Sequence, residues 1–275
     1  MTRVARILSI AGSDPSGGAG VQGDIKTFSA LGCYGMAAIT ALTAQNTLGV
    51  QAVQTVQADF VAAQIDSIFS DIAVDAVKIG MIGAPDNVAA VAGALRRHAA
   101  RNVVLDPVLA ASGGHSLGGD ALVAPIRAQL FPLARLVTPN LMESALFAGG
   151  RMAETPDEMR AVALKLHALG APAVLVKGGH LPGAAAYDLL YDGADFFEFS
   201  APRVVTRNSH GTGCALSSAI AARLGQDARL EEAVADAKAF LSAALEAGAA
   251  LDIGAGHGPP HHFFALWANA ARARS

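Results

Sequence analysis

Short runs of aliphatic residues recur along the chain, at Arg6 to Ala11, Val77 to Ile79, Val103 to Leu105, Leu136 to Thr138 and Val174 to Val176. Brief, rich in β-branched residues and mostly apolar on both alternating faces, they predict buried strands. Between them the apolar spacing lengthens to three and four residues, as in Val61, Ile65, Ile68, Phe69 and Ile72, or Leu230, Val234, Ala237, Leu241 and Leu245. That is the period of helices that bury one stripe. Strands alternating with helices imply an α/β fold whose mostly parallel sheet is covered on both faces. Two more runs, Tyr187 to Tyr191 and Phe196 to Ser200, flank Asp192-Gly193 with no helix between them, which predicts a hairpin on one sheet edge. No Pro/Ser-rich linker, charge run or repeat divides the sequence, so residues 1–275 are expected to form one domain.

Each predicted strand ends in polar or glycine-rich sequence: Gly12-Ser13-Asp14, Gly80-Met81, Asp106-Pro107, Pro139-Asn140 and Lys177-Gly178-Gly179. In open parallel sheets ligands bind beyond the carboxyl ends of the strands, so these residues are expected to meet along one crevice.

Composition narrows what that crevice binds. Of 275 residues, 52% are hydrophobic and 16% charged, with 20 Lys and Arg against 23 Asp and Glu for a formal charge of −3. So apolar a chain with so small a net charge is globular. It has no basic stripe for nucleic acid and no polybasic cluster for an anionic membrane, and neither is expected as a partner. Cys33 and Cys214 are the only cysteines and form no C-x-x-C, which argues against a disulfide framework or a cysteine zinc site and for a reducing compartment. The arginines of Met1 to Arg6 precede an apolar stretch too short for a signal-peptide core, and no run reaches the roughly 18 apolar residues of a membrane helix. A cytoplasmic location is expected.

Gly18-Ala19-Gly20-Val21-Gln22-Gly23 matches the G-x-G-x-x-G spelling of a dinucleotide-binding turn. That chemistry needs an acidic residue about 20 positions on, and none occurs between Asp24 and Asp59. Gly12-x4-Gly17 begins like a phosphate loop, yet Gly18 and Ala19 stand where Lys and Ser/Thr belong. What is left is a glycine turn that lets backbone approach a ligand, or a purely structural turn.

His210-Gly211-Thr212-Gly213-Cys214 precedes the helical stripe Leu216, Ile220 and Leu224. A glycine-bounded helix start presents free N–H groups and the positive dipole end to an anion such as a phosphoryl group. In that field the Cys214 thiol pKa is expected to fall, making it a proton acceptor or anion ligand; the alternative is a small buried hydrophobe. Asp106, Asn140 and Glu143 are the carboxylates and carboxamide that Mg²⁺ beside phosphates would use, against the alternative that Asn140 and Glu143 cap a helix. Lys177 is either a point charge for phosphate or a lysine snorkelling from its strand end. His257, His261 and His262 follow no familiar metal-ligand spacing, and these and isolated histidines such as His180 are read as structural.

Seven motifs in order carry a resemblance that runs nearly end to end. They are Ala11-Gly12-Ser13-Asp14-Pro15-Ser16-Gly17-Gly18-Ala19-Gly20, Thr43-Ala44-Gln45-Asn46-Thr47, Lys78-Ile79-Gly80-Met81, Thr138-Pro139-Asn140-Leu141, Lys177-Gly178-Gly179-His180, Asn208-Ser209-His210-Gly211-Thr212-Gly213-Cys214 and Gly258-Pro259-Pro260-His261-His262-Phe263. With them the chain resembles the hydroxymethylpyrimidine/phosphomethylpyrimidine kinases, the thiamin-pathway branch of the ribokinase-like family. The resemblance implies a three-layer α/β/α sandwich, commonly a homodimer, that uses ATP and Mg²⁺. The implied reaction phosphorylates 4-amino-5-hydroxymethyl-2-methylpyrimidine and then converts the monophosphate to the diphosphate. The implied pyrimidine pocket is lined by Gly12, Asp24, Gln45, Met81 and Val108, with Cys214 beside the acceptor. Asn140, Lys177, Thr212 and Gly213 would serve the nucleotide, and Asp106 and Glu143 the magnesium.

The residues are consistent with that chemistry. A carboxamide such as Gln45 pairs at once with an exocyclic amine and an adjacent ring nitrogen, a combination that an aminopyrimidine has and a pyridoxine ring lacks. Phosphoryl transfer asks mainly for positioning and charge stabilisation, which Lys177, Mg²⁺ and the amides of Gly211 to Cys214 would supply. Cys214 stands where many ribokinase-like enzymes carry Asp, which by the resemblance marks the pyrimidine-kinase branch. The segment Ala110 to Gly119 lacks the basic residue often found before its Ser-Gly and is rich in glycine, as a flexible lid would be. Two other functions stay open at this point. One is a pyridoxal/pyridoxine kinase of the same fold, against which Gln45 and Met81 argue. The other is a non-catalytic pyrimidine- or nucleotide-sensing module, which would not need Asp106, Glu143, Lys177 and Cys214 together.

Overall fold

The apolar runs become the middle of one sheet. In the computed structural model, which describes residues 3–109 and 119–272, β1 (Arg6–Ser13) leads into α1 (Gly20–Ala30). A pair of strands that the apolar spacing does not mark comes next, β2 (Tyr34–Asn46) and β3 (Gly49–Thr55). Helix and strand then alternate through α2 (Ala58–Asp71), β4 (Ala76–Ile79), α3 (Pro85–Arg97), β5 (Val103–Leu105), α4 (Val123–Gln129) and β6 (Leu136–Val137). Two helices, α5 (Leu141–Ala148) and α6 (Pro156–Ala168), precede β7 (Val174–Gly178). The chain finishes with β8 (Ala185–Tyr191), β9 (Phe196–Pro202), α7 (Thr212–Gly225), α8 (Leu230–Gly248) and α9 (Phe264–Arg272).

Among the described residues the strand order is β3-β2-β1-β4-β5-β6-β7-β8-β9. The six strands from β2 to β7 in that order run parallel. β3 joins one edge antiparallel, and the expected β8–β9 hairpin forms the other edge. The β2–β3 pair escapes sequence reading because β2 mixes small and hydroxyl residues with its aliphatics and the outer half of β3 is exposed. Neither strand therefore carries a clean apolar period.

Period-two alternation sorts the central side chains into two layers. Leu8, Ile10, Val77, Ile79, Leu105 and Val176 face one way, where residues such as Ile65, Val91, Phe131, Phe147 and Leu166 cover them. Ile7, Ala76, Val104, Leu136 and Leu175 face the other, under Phe28, Leu216, Ile220, Leu224 and Val234. Helices α2 to α6 thus lie on one side and α1, α7 and α8 on the other, as the expected three-layer sandwich requires. Each large aliphatic side chain so buried contributes about 1.5–3 kcal/mol.

The same parity governs the polar residues of these strands. Ser9, Lys78, Asp106 and Lys177 share the parity of Ile7, Ala76, Val104 and Leu175, so all four point toward the layer of α1 and α7, the last three near the carboxyl ends of their strands. Ser9 and Lys78 are direct partners across β1 and β4.

Candidate active site

Helix α7 begins where only glycine fits. Gly211 has φ +81°, and a Cβ there would lie 2.0 Å from the Gly18 carbonyl oxygen. A Cβ on Gly213 would lie 3.2 Å from Lys177 Nζ and 3.8 Å from Asp106 Oδ2. Without those side chains the N-terminus of α7 reaches the ends of β5 and β7. No side chain caps this terminus, so its first N–H groups are available to an anion.

Beneath α7 lies a row of buried charges. Asp24, on α1, accepts from Lys78 Nζ at 2.8 Å and Ser218 Oγ at 2.7 Å on Oδ1, and from Ser9 Oγ at 2.6 Å and Lys78 Nζ at 2.9 Å on Oδ2. Both side chains of the Asp24–Lys78 pair are 0% exposed. Burial opposes the Lys78 charge, but Asp24, Cys214 and Asp106 outweigh it and raise the pKa. Asp24, expected to line the pocket, is fully buried in this structure, with both oxygens engaged by protein groups. Asp106 accepts from Lys177 Nζ at 2.6 Å on Oδ1 and from Ser217 Oγ at 3.0 Å on Oδ2. Burial alone would raise its pKa, yet Lys177 and Lys78 hold it low. In Lys177 burial is likewise overcome, by Asp106 and Glu143. The charges alternate in sign along the row: Asp24, Lys78, Asp106, Lys177.

Asn140 and Glu143 form the capping box weighed as an alternative from sequence. Glu143 N donates to Asn140 Oδ1 at 2.9 Å and Asn140 N donates to Glu143 Oε2 at 2.8 Å, which starts α5. Burial pushes Glu143 up to about 7, against Lys177 and with Asp106. Among the described residues no group of three or more His, Cys, Asp or Glu is arranged to cage a metal ion.

Cys214 lies one turn before Ser218 and is partly exposed, whereas Cys33 is buried; both are free thiols. The expected fall in the Cys214 pKa is corrected. Burial raises it, and although Lys78 and the Gly20 N–H pull it down, Asp24 and Asp106 add to the rise. The positive helix end is answered by two carboxylates buried under it.

At the other end of the crevice Ala41 and Met81 pack with Val108 in a small cluster separate from the two cores. A Cβ on Gly12 would come 2.9 Å from Met81 Sδ, so glycine lets β1 close on this cluster. Gln45, at the end of β2, reaches His210, with 3.2 Å between their Nε2 atoms, and His210 Nε2 lies 2.8 Å from Asp14 Oδ2. Asp14 in turn accepts from Ala19 N at 2.8 Å and ties down the glycine turn.

Thus Gly12, Met81 and Val108 meet in one place and Gln45 approaches beside His210. Lys177 and Asp106 meet at Gly213, with Glu143 near enough to act on both and with Thr212 and Cys214 on the first turn of α7. Residues 110–118 of the expected lid lie outside the described residues; Gly119 opens a short 3₁₀ turn, Gly119–Leu122. Sequence reasoning assigned no role to Ser9, Asp14, Lys78, His210, Ser217 or Ser218. The signal available for Lys78 is a charge inside an apolar strand, at the same parity as the hydroxyl of Ser9 in β1. A cavity of about 450 Å³ opens elsewhere, among Arg135, Pro172, Asp192 and Arg229 near the amino ends of β6 and β7, and holds none of these groups.

The sequence matches a family model described as phosphomethylpyrimidine kinase over residues 14–261. It is 53% identical over 267 residues to a hydroxymethylpyrimidine/phosphomethylpyrimidine kinase of Rhizobium meliloti, a match covering 97% of this chain and 99% of the relative. Its fold is similar to Bacillus subtilis pyridoxal kinase solved as an ADP complex, with a TM-score of 0.88, 36% identity and coverage of 96% of this chain and 99% of that one. It is also similar to phosphomethylpyrimidine kinase from Clostridium difficile, with a TM-score of 0.77, 38% identity and coverage of 86% and 98%.

Proposed function

Because the chain belongs to the phosphomethylpyrimidine kinase family, we propose that it transfers the γ-phosphoryl group of ATP to 4-amino-5-hydroxymethyl-2-methylpyrimidine and then to the monophosphate, in thiamin biosynthesis. The observation that carries this reading is the glycine-bearing start of α7, where Gly213 brings uncapped N–H groups to Lys177 and Asp106. Fixed donors and a cation at one point suit the charge that spreads over a transferring phosphoryl group.

Lys177, Thr212, Gly213 and Asn140 are assigned to the nucleotide, and Gly12, Gln45, Met81 and Val108 to the pyrimidine. Asp106 and Glu143 are assigned to Mg²⁺: two carboxylates without a third fit an ion that keeps its waters and binds mainly through substrate phosphates. When bound, that ion neutralises phosphate charge. Cys214 is assigned to the acceptor hydroxyl, whose proton its thiolate form would take in the first transfer, a form that burial makes scarce; the second acceptor, a phosphate oxygen, arrives ionised and needs no base.

A homodimer belongs to the proposal, supported by exposed Leu42, Leu48 and Val53 on the β2–β3 edge. So does a cytoplasmic location. Among the described residues no helix is long and apolar enough to cross a membrane.

The test is Mg-ATP turnover on three acceptors in parallel: the hydroxymethylpyrimidine, its monophosphate and pyridoxal. The expected result is turnover of both pyrimidines with little on pyridoxal. Dominant pyridoxal turnover would favour the activity named for the Bacillus subtilis relative, and binding without turnover on any acceptor would favour a sensor.

A further inference from the structure

His210 has no role in the assignments above, although it is only 8% exposed and holds two polar partners at one nitrogen. Its ring is clamped by the glycine turn, since a Cβ on Gly18 would lie 2.6 Å from His210 Cδ2. Nε2 is 2.8 Å from Asp14 Oδ2 and 3.2 Å from the Gln45 side-chain amide. An imidazole nitrogen either donates or accepts, so the two contacts fix each other's sense.

Asp14 Oδ1 accepts from Ser16 N and Ser16 Oγ, and Oδ2 from Ala19 N. Burial pushes its pKa up, but bonds from His210, Ser16 and Ala19 outweigh burial and keep the carboxyl ionised. A carboxylate only accepts, so His210 Nε2 carries a proton and donates to it. A nitrogen that donates to Asp14 has no lone pair for Gln45 Nε2, which lies 3.2 Å away, so the amide is assigned turned about, with its oxygen facing this N–H. The turned amide also suits the far end: Thr43 Oγ1 gives its proton to Ser13 O at 2.9 Å, so where it now meets Gln45 Oε1 at 3.2 Å its lone pair would receive a Gln45 N–H instead. The two ends of an amide are isosteric, and only such a network distinguishes them.

We infer that Asp14 and His210 lock the Gln45 amide in one orientation and thereby set the specificity of the site for an amine-bearing pyrimidine. With one protein partner at each end, the amide keeps a second oxygen lone pair and a second N–H for a ligand, an acceptor beside a donor. An exocyclic amine next to an unprotonated ring nitrogen is the complementary edge. An edge without the amine leaves the oxygen unpaired, and sites built to hydrogen-bond a substrate group reject analogues that lack it. The inference rests on the proposed function, which supplies the aminopyrimidine as acceptor. His210 acts through Gln45 and is a positioning residue.

The test compares kcat/KM for 4-amino-5-hydroxymethyl-2-methylpyrimidine with that for its analogue lacking the amine. His210→Phe is expected to reduce the wild-type preference for the amine about tenfold, the size of one neutral hydrogen bond, mainly through KM for the pyrimidine and with KM for ATP unchanged. His210→Gln, which again places an N–H near Asp14, is expected to restore much of the preference. In a Gln45→Ala background His210→Phe should leave the ratio where it is, because the two residues act as one unit. Thr43→Val removes the outer anchor without touching Asp14 or His210; it should lower the ratio a few-fold and serves if His210→Phe does not fold. Equal losses on both acceptors, or additive losses in the double variant, would overturn the inference. Wild-type inactivity on both pyrimidines would instead overturn the proposed function, and the lock's purpose with it.

Discussion

Replacing Lys78 with methionine should destabilise the protein by about 3–5 kcal/mol, the usual consequence of leaving one member of a buried ion pair without its partner. The structure gives the contributions. Lys78 supplies two of the four hydrogen bonds that Asp24 accepts, at 2.8 and 2.9 Å, and the remaining two come from neutral hydroxyls. Two bonds to a charged group, at about 1.5–3 kcal/mol each, bracket the expected loss. Methionine nearly matches lysine in length, so little cavity is created and the effect is electrostatic. At about 2–4 °C per kcal/mol for chains approaching this size, the melting temperature should fall by about 6–20 °C. Urea unfolding followed by circular dichroism at pH 7 measures the difference directly. The double variant Asp24→Leu/Lys78→Met should recover most of the loss, because it buries no unpaired charge. A cost below about 1 kcal/mol for the single variant, or a double variant no better than the single, would refute the reading of a desolvated, mutually dependent pair.

Cys214→Ala should lower phosphorylation of the alcohol by about 10² or more, a typical general-base contribution, while largely sparing phosphorylation of the monophosphate; equal losses in single-turnover assays would assign Cys214 to positioning instead. Burial pushes Glu143 up to about 7 from 4.5, so between those values the folded protein holds a proton that the unfolded chain has released, and stability falls as pH rises through that window. Glu143→Gln should flatten this slope, seen as a smaller change in urea midpoint between pH 5 and 7.5; an unchanged slope would place the titration elsewhere. Gly213→Ala puts a methyl 3.2 Å from Lys177 Nζ and should raise KM for ATP and lower kcat, each about tenfold, for loss of a charged contact. A fully active Gly213→Ala enzyme would show that Lys177 need not stay beside the helix start.

Much of the architecture was legible because the residues that build it obey simple periods. Val77 to Ile79 and Val103 to Leu105 read as strands, and the hairpin at Asp192-Gly193 announced itself by its turn. The crevice followed from the polar residues at the strand ends, since parallel strands share one direction. What the periods do not carry is which layer a polar residue enters. Asp24 reads by motif as a pocket residue, and the motif does not reveal that its helix also turns it onto Lys78. Cys214 was assigned the field of a helix terminus, but its surroundings include carboxylates more than 100 residues away in sequence at Asp106 and Asp24, which no local reading weighs. His210 was visible in its motif, whereas its bond to Asp14 spans 196 positions and appears only once β1 and the start of α7 are side by side.

The alternating row under α7 also bears on how ligands arrive. Two cations at strand ends interleaved with two carboxylates, Asp106 beyond β5 and Asp24 on α1, largely cancel beyond a few ångströms, and salt screens what is left within about 10 Å. An anionic nucleotide therefore meets no cationic funnel that draws it in from bulk solution. On the proposed assignments its capture would be settled at contact range by the helix-start amides and by Lys177, with encounter close to an uncharged collision and selection only after arrival.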